Sequence, residues 1–85
     1  VIERLRAAQE RGDPDGVRAC VRDDVVWLAP GGAIEEPAAV ADRLGSMSVE
    51  RVEQHGGRAL LIGPGASCVL EIRAGGIVFG ADLNR

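Results

Sequence analysis

Residues 11–32 run RGDPDGVRACVRDDVVWLAPGG, and the change of period inside this stretch decides the fold. Gly12 closes an apolar helical face carried by Val1, Ile2, Leu5 and Ala8, because helices commonly end on a residue that tolerates the left-handed conformation. Asp13-Pro14 then supplies an N-cap oxygen followed by proline at the first helical position, so a second, short helix starts at once. Val17, Cys20 and Val21 give it one apolar side, and Asp23-Asp24 is expected to end it on the polar side. Val25 to Ala29 is β-branched and aromatic, too short for a helix, and stopped by Pro30-Gly31-Gly32; it reads as a buried strand.

The same reading extends outward. Glu35-Glu36-Pro37 is a helix start, with acids against the positive end of the dipole, and Val40 and Leu44 form the face of a third helix that Gly45-Ser46 ends. From Ser48 onward Gly56-Gly57, Pro64-Gly65 and Gly75-Gly76 separate four runs of strand length, a meander. Cys68, Leu70 and Ile72 alternate with Ser67, Val69, Glu71 and Arg73, and Ile77, Phe79, Ala81 and Leu83 alternate with Val78, Gly80 and Asp82. This phase predicts Phe79 inside and Asp82 outside, unless a bulge at Gly80 reverses the side. The expected architecture is α+β: one domain over residues 1–85, with three N-terminal helices packed on a curved antiparallel sheet, a cone-like, cystatin-type roll. Val25, Trp27, Leu60, Ile62, Leu70, Ile72, Ile77 and Phe79 are the expected core and, where a cavity exists, its walls.

Composition narrows the function classes. The chain has 85 residues, 46% of them hydrophobic, with 10 basic residues against 13 acids and a net charge of −3. Every basic residue is Arg, and Thr and Tyr are absent. Acids and arginines interleave, which leaves no basic footprint for nucleic acid and no polybasic patch for an anionic membrane. No apolar run approaches the ~20 residues that span a bilayer, and no signal-peptide order opens the chain, so the expected compartment is the cytoplasm. Cys20 and Cys68 form no CxxC and read as reduced core thiols; one His and two dispersed Cys supply no metal set. A domain this small buries only ~60% of its unfolded surface, which makes a second copy, a homodimer, the expected partner. The chain opens on Val1 rather than Met and reads as trimmed at its start.

Arg11-Gly-Asp-Pro-Asp15, followed by Asp24-Val-Val-Trp27 and Pro30-Gly31-Gly32 in this order of elements, resembles the SnoaL-like branch of the nuclear transport factor 2-like superfamily. The resemblance covers nearly the whole chain and implies a cone-shaped domain, commonly dimeric, whose sheet and helices enclose an apolar pocket. That pocket serves isomerases, cyclases, epoxide hydrolases, carriers and regulatory domains alike, so the fold does not choose among them. The last third, Val52 to Arg85, is similar to the SnoaL-like domain attached to some extracytoplasmic-function sigma factors. It departs from them in having Ala29-Pro30-Gly31-Gly32 where they carry an acidic Gly-rich loop, and Arg85 rather than Pro after Asn84. The short first helix predicts a small pocket or none.

The candidate chemistry is sparse. Trp27 is the one tryptophan, suited to lining a pocket or to plain core packing. Asp24 is the more useful of the adjacent Asp23-Asp24 pair, whose side chains point to opposite sides and make a poor acid/base dyad. His55 stands at a hairpin end, where an imidazole is normally solvated. Asp82 matches, by resemblance to the ketosteroid isomerases, a strand carboxyl in a greasy pocket, but the oxyanion Tyr of those enzymes is missing. Epoxide-hydrolase relatives use an Asp-Arg-Asp relay, which here requires Arg43, Arg58 or Arg73 to converge with Asp24 or Asp82. Glu71 and Arg73 share a strand face and read as a solvated pair. The leading expectation is a domain that binds a small hydrophobic ligand or a partner, with no assembled catalytic set and no cofactor or metal. Its pocket residues are expected to be Trp27, Leu60, Leu70, Ile72 and Phe79. An isomerase, polyketide cyclase or epoxide-hydrolase-like enzyme using Asp24, His55 or Asp82 is the alternative, and a pure oligomerisation unit the third reading.

Overall fold

The computed structural model describes residues 1–83; Asn84 and Arg85, where the departure from the sigma-factor domains was noted, lie outside them. The elements are α1 (Ile2–Arg11), α2 (Pro14–Ala19), β1 (Val21–Ala29), β2 (Gly32–Ile34), α3 (Pro37–Gly45), β3 (Arg51–His55), β4 (Arg58–Ile62), β5 (Ser67–Arg73) and β6 (Gly76–Leu83). Ile2, Leu5 and Ala8 of α1, Val17 of α2, and Val40, Ala41 and Leu44 of α3 are buried against one face of the sheet. Gly12 ends α1 with φ 62, and the Asp13 carboxylate accepts from the Gly16 N–H at 3.1 Å to cap α2, with Pro14 next in line. The hydrogen bond from Gly16, reinforced by Arg11, holds the Asp13 carboxyl below its ordinary range. Among the described residues no helix is long and apolar enough to cross a membrane.

The six strands run in the order β2-β1-β6-β5-β4-β3. All neighbours are antiparallel except β1 and β6, so the sheet is mixed rather than wholly antiparallel. The parallel pair forms because the last strand returns to lie against the first long one, with α3 and the meander between them in sequence, and this pairing lengthens β1. The strand begins at Val21, paired with Ile77, and the Ile77 N–H donates to the Cys20 carbonyl at 2.8 Å. The expectation that Val21 belongs to the second helix and that Asp23-Asp24 ends it is therefore corrected: both aspartates are exposed on β1, where its register against β6 shifts between Val21 and Val26. Pro30-Gly31 is a hairpin turn into the three-residue β2 rather than a plain stop.

Two strand phases also differ from expectation. The β3–β4 hairpin pairs His55 with Arg58, which sets Ala59 and Leu61 into the core at 2% and 0% exposure and turns Leu60 and Ile62 to the outer face. In β6, Ile72 pairs with Ile77 while Glu71 pairs with Phe79, so one extra residue, Val78, interrupts the ladder. A bulge shifts every later side chain to the other face. Ile77, Gly80 and Asp82 thus face the helices, and Phe79, Ala81 and Leu83 face out. Phe79 leaves the expected core and Asp82 enters the concave side, the reversal coming two residues before Gly80. Val25, Trp27, Leu70 and Ile77 are buried as expected, and Ile72 is half-buried against them.

Leu61 provides a check on the β4 phase. Leu61→Ala should lower stability by about 2–5 kcal/mol in denaturant unfolding; a loss under about 1 kcal/mol would place Leu61 outside the core.

Candidate functional site

The inner face of the sheet ends in an open recess of about 350 Å³, lined by Trp27, Pro30, Arg43, Ser46, Met47, Asp82, Leu83, the loop residues Gly65 and Ala66, and Ser67 and Cys68 at the start of β5. β1 contributes Trp27, the last turn of α3 contributes Arg43, the following loop contributes Ser46 and Met47, β5 contributes Cys68, and β6 contributes Asp82. Cys68 and Asp82 are register partners on β5 and β6, so both project into this space.

Asp82 is its polar centre. Oδ1 accepts from Trp27 Nε1 at 3.1 Å and from Arg43 Nε at 3.3 Å, and Oδ2 accepts from the second arm of the Arg43 guanidinium. This fork is the bidentate arrangement that matches guanidinium to carboxylate, and it raises the Arg43 pKa above its ordinary value. Trp27 is 1% exposed, and without Asp82 its indole N–H would be buried with no acceptor. Trp27 itself is seated on Gly80: a Cβ there would stand 2.2 Å from Cε3 and 2.3 Å from Cζ3 of the indole. Cys68 lies deeper, and burial first, then the nearby Asp82 charge, pushes its thiol up to about 12. It is a protonated wall group rather than a nucleophile.

The sequence candidates divide sharply. Asp82 reaches the recess and Arg43 meets it there, two of the three members of the relay that epoxide-hydrolase relatives would require. Arg73 pairs instead with Glu71 at 2.8 Å, as their shared strand face suggested, and Arg58 is exposed at the β3–β4 turn. Asp24 is exposed and bound to Arg22 at 2.9 Å, whose hydrogen bond lowers its pKa. His55 is exposed at the end of β3. Of the expected wall residues, Trp27 lines the recess, Leu70 is buried on the same face beside Gly80, and Ile72 packs against the core. Leu60 and Phe79 lie on the outer face, where a larger recess of about 480 Å³ runs from Arg51 past Leu60 and Ile62 to Leu83. That recess gathers no set of titratable groups. Met47, Ser46 and Cys68 were not singled out as site residues, because a loop position and a strand-core cysteine carry no sequence signal of a wall. Among the described residues there is no cluster of three or more His, Cys, Asp or Glu able to hold a metal.

Comparison with known proteins agrees with this geometry at the level of family. The family model described as a SnoaL-like domain matches residues 2–77, and the chain belongs to that family. No curated protein matches the sequence. Among solved structures, an NTF2-like protein of unknown function from Cytophaga hutchinsonii superposes with a TM-score of 0.74 at 15% identity, covering 96% of this chain and 84% of that one. A LEH-like epoxide hydrolase from M. tuberculosis gives 0.65 at 22% identity, covering 95% and 77%. TerC, co-crystallised with polyporic acid, gives 0.69 at 15% identity, covering 99% and 88%. At these identities the likeness establishes the shared fold.

The seat of Trp27 on Gly80 is open to test. Gly80→Ala should cost about 1–3 kcal/mol by overpacking and shift the emission of Trp27 as the indole leaves Asp82. An unchanged spectrum with unchanged stability would show that the ring does not rest on this glycine.

Proposed function

We propose that this chain is a ligand-binding SnoaL-like domain whose inner recess takes a small, largely apolar molecule with one polar group. The observation that carries the reading is the Arg43–Asp82–Trp27 constellation inside a recess of about 350 Å³. That volume is within the ~300–1,000 Å³ of small-molecule sites. Trp27, Pro30 and Met47 offer apolar contact, while the guanidinium, 40% exposed on its side chain, retains N–H donors that Asp82 does not use. A carbonyl or hydroxyl on the ligand would meet those donors. That TerC was co-crystallised with polyporic acid supports a ligand role for this fold.

The same geometry favours binding over catalysis. Both oxygens of Asp82 already accept N–H donors, so a proton-abstracting role would first require Arg43 to withdraw. Among the described residues only one carboxylate pairs with Arg43, which is short of the two that an Asp-Arg-Asp relay needs.

The outer sheet face favours a second copy of the chain as partner. Leu28, Ala81, Val69 and Leu60 stand in one row across four strands, and Leu28 and Leu83 are 47% and 45% exposed. Arg58, Glu71 and Arg73 border the row with both signs of charge, a pattern that is self-complementary across a two-fold axis.

Two experiments test these readings. Trp27 is the only tryptophan, so its emission reports directly on the recess. Titration with a panel of small aryl ketones and aryl alcohols should give saturable quenching, and Arg43→Gln should weaken it about tenfold through the lost charged hydrogen bond. No saturable member, or binding indifferent to Arg43→Gln, would overturn the ligand reading. In sedimentation equilibrium the chain should run as a dimer and Val69→Glu as a monomer; a monomeric parent chain would remove the second copy.

A further inference from the structure

Residues 46–50 join α3 to β3 with no helix or strand of their own, and they form one wall of the recess through Ser46 and Met47. Met47 Sδ sits 3.6 Å from Cys68 Sγ and covers that thiol, which is 1% exposed. From the sheet side the segment is pressed close: a Cβ on Gly63 would stand 2.0 Å from the Ser48 carbonyl oxygen, and the Glu50 N–H donates to the Ile62 carbonyl at 2.8 Å. From the other side α1 holds both the segment and the helix end that leads into it. Gln9 Nε2 donates to the carbonyl of Leu44, in the last turn of α3, at 2.8 Å, and the Arg6 guanidinium donates to the Val49 carbonyl within the segment at 3.2 Å. A bond of 2.9 Å from Arg6 to Gln9 Oε1 locks the two side chains together. Neither Arg6 nor Gln9 lines the recess.

We propose that Arg6 and Gln9 are positioning residues for the recess: Arg6 holds the 46–50 segment at Val49, Gln9 holds the end of α3 from which the segment leaves, and together they keep Met47 seated on Cys68 and so set how far the recess opens to a ligand. The inference rests on the recess being a binding site, and it adds the device that controls access to it. Its physical basis is separation of roles. On the sheet side the close approach of Gly63 and the Glu50–Ile62 backbone bond fix the segment together, whereas the α1 strap is made of side-chain hydrogen bonds that break and reform singly. Opening therefore proceeds from the α1 side, and each lost bond should shift the closed-to-open ratio by about tenfold.

The two native thiols make this measurable without a ligand. Methyl methanethiosulfonate, small and neutral, converts an exposed thiolate to a mixed disulfide with release of methanesulfinate, and peptide mass spectrometry reads the rates at Cys68 and Cys20 separately. Cys20 is also buried, at 3% exposure, but lies at the end of α2, bonded to the Gly16 carbonyl and away from the 46–50 segment, and serves as the control for opening elsewhere in the fold. Gln9→Met and Arg6→Met should each accelerate Cys68 about tenfold while leaving Cys20 unchanged, and Arg6→Lys, which keeps a donor for Val49, should return Cys68 towards the parent rate. Equal acceleration at both thiols, or a Cys68 rate indifferent to both methionine variants, would overturn the proposal. The thiol rates stand apart from the Trp27 titration, so a recess that binds none of the probes would sink the ligand reading while the strap is still judged on Cys68.

Discussion

The indole of Trp27 occupies the place where a side chain on residue 80 would be, and from there it donates to Asp82. Much of the concave side depends on that contact. It needs β1 and β6 to be neighbours, which the parallel pairing of Trp27 with Gly80 supplies, and it needs Gly80 and Asp82 on the inner face, which the extra residue at Val78 supplies. With the indole fixed, its N–H is satisfied only by a carboxylate beside it, and that carboxylate in turn anchors Arg43 from α3. One bulge thereby links β1, α3 and the chain's last strand, β6, into a single polar centre inside an otherwise apolar wall.

On the proposed reading that centre serves recognition rather than proton transfer. An ion pair that is part exposed contributes little to stability by itself, so the value of Arg43 and Asp82 lies in direction: donors aimed into the recess over an aromatic floor. Cys68 and Met47 add soft, apolar surface beneath it, and the high thiol pKa leaves the sulfur un-ionised. The segment carrying Met47 is short of regular structure and held by side chains from α1, which places control of the recess in hydrogen bonds remote from it. Elements that must move for a ligand to enter are drawn from the least internally bonded parts of a fold.

The two faces of the sheet divide the work. The inner face is covered by three helices and opens at the recess, while the outer face keeps Leu28, Val69, Leu60, Phe79 and Leu83 half-buried or exposed. A small sheet with one covered face has limited core to draw on, and the apolar row outside is where further burial is available.

The sequence by itself determined the elements whose cause is local. Asp13-Pro14 caps α2 because the oxygen and the fixed φ lie within a few residues of the N–H groups they serve, Gly12 ends α1 for the same kind of reason, and Glu35-Glu36-Pro37 opens α3. Apart from the three-residue β2, the order of helices and strands was legible as well, as were the SnoaL-like family and the burial of Cys20 and Cys68. Trp27 and Asp82 were named, yet Asp82 was assigned to the wrong face, and Arg43 stood as one arginine among several. Only the tertiary structure decided these, together with the extension of β1 to Val21 and the inward turn of Leu61. Strand phase is set by register between chains of residues far apart, and a single unpaired residue inverts every position beyond it. Alternation in β6 reads equally well either way, because Ile77, Val78 and Phe79 are all apolar; the choice between them was made by the fit of Trp27 against Gly80 and by the acceptor its N–H required.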